Sequence, residues 1–144
     1  MSFLRHPLHP ALAHFPLALW IGTSAADVIA LRTGDITWWH VSRYAAGSGT
    51  LMGALTLLAG LLELWLRQIP REAARWLGVH ASLMLAALLC FMVSLSSRTL
   101  APPPMSAVWL SFLGCAFVLG GGFCGGTLVY RFGVGVSWRD QRNQ

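Results

Sequence analysis

The 144-residue chain is 56% apolar and 10% charged, with a mean hydropathy of +0.61, outside the range of soluble domains. Its net charge of +5 rests on arginine alone, since no lysine is present; the arginines flank apolar runs, where they meet lipid headgroups. That placement argues for an integral membrane protein in a lipid bilayer and against a nucleic-acid partner. The three cysteines lie inside apolar runs without CxxC spacing, so they read as small buried hydrophobes, and no CxxCH motif for c-type haem is present.

The first span is predicted over 8–31. It opens on HPLHPALAHFPLALW, the only histidine-dense stretch, with His6, His9 and His14. Pro7 and Pro10 suit a helix start, while Pro16 favours a bend near His14. No small-residue cleavage site follows, so the stretch reads as a retained first helix. The segment RTGDITWWHVSR reads as a loop with Gly34 and Asp35 at its turn and Trp38 and Trp39 at the interface. A second span over 44–66 carries Gly49 and Gly53 at GxxxG spacing. After the arginine-rich RQIPREAAR comes a third, 76–97, with His80 near its beginning. Past Arg98 and APPP a fourth, 106–130, contains Gly121/Gly125 and Gly122/Gly126, two further GxxxG pairs. The apolar C-terminal stretch is expected to fold back along the interface.

These elements predict an all-α fold, a transmembrane four-helix bundle with up-down-up-down topology, in one integral membrane domain over 1–144. Four spans put both termini and the middle loop on one side with Arg5, Arg67, Arg71, Arg75, Arg131, Arg139 and Arg142. Arg32, Arg43 and Arg98 fall on the other. The positive-inside rule then places both termini in the cytoplasm, in a bacterial inner membrane.

In such a bundle the first and third helices start from the same face and lie diagonally across the core, so His14 and His80 are expected at similar depth and facing one another. A facing imidazole pair is what bis-histidine ligation of haem b requires. Ala11, Ala18 and Ala25 share the face of His14 and, with the glycines of the other helices, would leave a slot. Met84 is an alternative ligand. A second reading uses His6, His9, His14 and His80, with Glu63, for a zinc, copper or iron ion. A third is a histidine network without a cofactor, in a structural subunit of a larger membrane complex or a homo-oligomer packed through its glycine faces.

Glu63 has two readings: an i,i+4 partner for Arg67, or an acceptor that orients a ligating imidazole from the second shell of the site. Asp27 is expected to pair with Arg32, Arg43 or Arg98, or to carry protons.

The N-terminal HPLHPALAHFPLALW, Asp27, a histidine early in the third span and the terminal GGTLVYRFGVGV together resemble the prokaryotic membrane family called domain of unknown function 2231, over nearly the whole chain. The two ends carry the resemblance; the middle is generic membrane helix. It implies a four-helix membrane domain, found in some members fused to Rieske-type or cytochrome-type redox domains. It also implies histidines of interest at His6, His9, His14 and His80 and an intramembrane acid at Asp27. Cys124 departs from the bulky apolar residue expected there. The leading expectation is an electron carrier, not an enzyme, working between a quinone or redox protein and another partner.

Overall fold

A computed structural model describes residues 8–66, 69–99 and 101–134. Four helices follow in order: α1 Leu8–Thr33, α2 Ile36–Leu66, α3 Ala74–Ser96, preceded by a short 3-10 turn at Arg71–Ala73, and α4 Met105–Phe132. No strand occurs among the described residues. All four helices are long and apolar enough to cross a membrane. Large apolar side chains such as Leu51, Leu58, Trp109 and Phe123 are exposed on their outer faces, as a lipid environment favours.

The helix boundaries differ from expectation chiefly at α2, which begins at Ile36 rather than near residue 44. The turn is therefore far tighter than the anticipated loop. Gly34 ends α1 in the left-handed region, with φ 69°, and donates its N–H to the Ala30 carbonyl at 2.9 Å. Asp35 then starts α2: its Oδ1 accepts the Thr37 N–H at 2.8 Å, meeting one of the donors left free in a first helical turn. Hydrogen bonding from Thr37 holds the Asp35 carboxyl below its ordinary value. A cap of this kind contributes stability above the unfolded carboxylate range and loses it as pH falls through the lower folded value. With the turn so short, Trp39 becomes a buried residue packed with Ala30 and Val108, not the interfacial anchor anticipated for it.

α1 packs chiefly along α2, and α3 along α4, so the bundle consists of two helical hairpins laid together. Glycines on α2 and α4 act as notches for large side chains. Trp20 fills the space over Gly49 and Gly53, where a Cβ would stand 2.8 and 2.6 Å from the indole. Phe91 lies in the same way over Gly114, at 2.7 Å. The two rings stack across the bundle, 5.0 Å apart and 4° from parallel, an arrangement worth about 0.5–1.5 kcal/mol beyond the area it buries. GxxxG spacing here admits side chains rather than helix backbones.

Of the three arginines offered as partners for Asp27, Arg98 is the one that takes the role. Its Nη1 and Nη2 donate to Asp27 Oδ1 and Oδ2 at 2.8 and 2.6 Å, with both side chains essentially fully buried. Arg98 also donates to Ser42 Oγ at 2.6 Å and to Ser94 Oγ at 3.1 Å. Ser111 Oγ donates to Asp27 Oδ2 at 2.6 Å. One network thus links the end of α1, the beginning of α2, the end of α3 and the beginning of α4. Bidentate geometry and added hydroxyls are what make a buried ion pair tolerable.

Removing either charge strands the other in the core, so Asp27→Ala and Arg98→Ala should each destabilise by about 3–5 kcal/mol. The double variant should lose less than the two single losses combined. Unfolding of the three proteins in detergent measures this.

Candidate functional site

The opposite end of the bundle holds a second polar cluster, eighteen residues earlier along both α1 and α3. At 1.5 Å per residue it lies roughly 27 Å from the ion pair, close to the thickness of a hydrocarbon core. Its centre is His9 facing His80, with ring centroids 6.1 Å apart and planes at 88°.

The expected pairing of His14 with His80 is corrected by this geometry. Residues 9, 20 and 27 are spaced by eleven and seven, which brings them within about 20° of one another around a helix. That stripe holds Trp20 and Asp27, both buried, so it faces inward. His14 lies about 140° away from His9 and is exposed. Ala11, Ala18 and Ala25 are exposed with it, so the face read as a slot is the outward one. Met84 packs its Sδ into the notch at Gly121 and belongs to the apolar core. His6 and Arg67 lie outside the described residues.

Each histidine of the pair is held by the same device. His9 Nδ1 lies 2.9 Å from the Thr56 carbonyl of α2, and Gly60, one turn further on, leaves room for the ring: a Cβ there would stand 2.8 Å from Nδ1. His80 Nδ1 lies 2.8 Å from the Gly121 carbonyl of α4, and Gly125, one turn on, clears its ring likewise, at 3.1 Å. A carbonyl oxygen only accepts, so both Nδ1 atoms carry the hydrogen. In the neutral rings both Nε2 atoms therefore keep a lone pair. A backbone carbonyl on the far ring nitrogen is also how metal-binding histidines are commonly oriented.

Glu63 adds the one acid of the cluster. Its Oε1 accepts the backbone N–H of His9 at 3.2 Å, so it holds the first turn of α1, where free N–H groups favour a negative charge, and not an imidazole ring. Asp27 belongs to the other end and has no part here. Among the described residues no group of three or more His, Cys, Asp or Glu is placed to hold a metal ion.

The family model described as a predicted membrane protein, domain of unknown function 2231, matches residues 5–138. The chain belongs to this family. The match takes in both polar ends of this DUF2231 domain and all four helices. No curated protein and no solved structure matches the chain.

The glycine notches give a direct check on the site. Gly60→Ala should displace the His9 ring and break its bond to Thr56, and Gly125→Ala, with its wider clearance, should disturb His80 less. Nitrogen-15 NMR of the imidazoles should show the hydrogen-bonded Nδ1–H of His9 lost in the first variant and that of His80 largely kept in the second.

Proposed function

We propose that this membrane protein binds haem b between His9 and His80 and works as an electron carrier. The observation that carries this reading is the matched pair of Nδ1–carbonyl bonds, which leaves a lone pair on Nε2 of each of two imidazoles whose ring centroids are 6.1 Å apart.

The donor set favours haem over a bare ion. Zinc is held by three or four protein ligands, whereas a porphyrin supplies four nitrogens and asks the protein for two. His9 and His80 would hold the haem iron, Thr56 and Gly121 would fix their tautomers, and Glu63 would hold the turn carrying His9. Bound there, haem supplies one-electron transfer. With two of the chain's own imidazoles holding it, the group would be suited to exchanging electrons with a quinone or redox protein rather than to binding oxygen.

The orientation follows from charge. Arg71, Arg75 and Arg131 are at the histidine end, and Arg98 at the other end is neutralised by Asp27. Removing Arg98 from the count of free cations strengthens the bias that would place the histidine end at the cytoplasmic face of a bacterial inner membrane.

Protein purified in detergent after expression with ample haem should show the sharp reduced bands of a b-type haem, with one haem per chain. His9→Ala and His80→Ala should lose them and His14→Ala should keep them. A colourless wild-type protein, or full bands in both the His9 and His80 variants, would overturn the assignment.

A further inference from the structure

The two hairpins repeat one another position by position. Asp27 and Arg98 are 71 residues apart; His9 and His80, and Trp20 and Phe91, have the same separation. Along α2 and α4 a second constant separation relates Gly49 to Gly114, Thr56 to Gly121 and Gly60 to Gly125. Equivalent residues make equivalent contacts. His9 bonds the Thr56 carbonyl beside Gly60 as His80 bonds the Gly121 carbonyl beside Gly125. Trp20 covers Gly49 as Phe91 covers Gly114.

Burial follows the same register. Thr23 and Ser94 are buried, while Ala18 and Leu89 are exposed, as are His14 and Leu85. The residues that meet across the bundle are the equivalent ones: His9 with His80, Trp20 with Phe91 and Asp27 with Arg98. Contact between equivalent positions is the mark of a two-fold axis, here running along the helices, as in membrane proteins built from parallel repeats.

We infer that the chain is a duplicated helical hairpin, α1–α2 facing α3–α4 across an internal pseudo-two-fold axis, and that Asp27 and Arg98 are one and the same position of the two copies, made complementary in charge. Identical hairpins would bring Asp against Asp or Arg against Arg in the buried core, and like charges there repel. The two neutral layers, histidine and aromatic, tolerate like facing like. The charged layer does not, and it is there that the copies differ in sign. This inference does not depend on what the histidines bind.

Equivalence predicts which exchanges the full-length chain accepts. Asp27→Arg and Arg98→Asp should each abolish the monodisperse folded peak in detergent or sharply lower the melting temperature. The double exchange D27R/R98D should recover at least half of that loss. Adding Ala46→Ser and Ala107→Ser, which carry the hydroxyls of Ser111 and Ser42 to their equivalent places, should recover more. A second exchange tests the aromatic layer with neutral residues. Gly53, under Trp20, corresponds to Val118, so Phe91→Trp should lower the melting temperature and F91W/V118G should restore most of it. A charge exchange with both serines that is no more stable than the single reversals, or a Phe91→Trp defect that Val118→Gly leaves in place, would overturn the inference.

Discussion

The bidentate contact between Asp27 and Arg98 is the constraint on which the arrangement of the helices depends. Lipid tails are as apolar as leucine, so burial of hydrophobic surface does little to choose one packing of four apolar helices over another. A charge in the core does choose, because every alternative leaves it without its partner. Arg98 reaches Asp27, Ser42 and Ser94, and Asp27 receives Ser111, so all four helices are fixed in rotation at that end. Their inward stripes are then determined along their full length.

From that stripe the remaining layers follow. Eleven and seven residues are close to whole numbers of helical turns, so a helix oriented by Asp27 also turns Trp20 and His9 inward. Phe91 and His80 do the same on α3, with Arg98 just past its end. Glycines opposite them supply the clearance: with a methyl at Gly53 or Gly60 the indole or the imidazole would have to move. The histidine pair is thus positioned by helix phase from an anchor at the other face of the membrane, and by carbonyls at its own level. Both imidazoles are thereby held on two counts, by the phase of their helices and by a carbonyl bond at Nδ1.

Much of this was legible in the sequence. Hydropathy gave four spans, and Gly34 and Asp35 marked the first turn. The start of α2 is masked because aromatic and basic residues in ITWWHVSR look interfacial by type, whereas a glycine cap and an aspartate cap in succession leave no length for a loop. Depth alone favours His14 as the partner of His80, because depth does not register helix phase. Depth places several residues acceptably; phase, fixed by the need to bury Asp27, admits His9 alone of the two. The repeat was also present in the sequence, as histidine, aromatic and charge at identical spacings in the first and third spans. It was hidden because Asp27 and Arg98 are opposite in sign, and equivalence between opposites does not register as similarity. The carbonyl partners of the imidazoles leave no trace in residue type, because every residue carries a carbonyl and helix packing alone decides which one is met.

The proposal that His9 and His80 together hold one haem has a spectroscopic signature. Low-temperature electron paramagnetic resonance of the oxidised, haem-loaded protein addresses it most directly. A purely low-spin ferric signal is predicted, since both His9 and His80 would hold the iron. A predominantly high-spin signal would mean that one axial position is open, and would contradict the account.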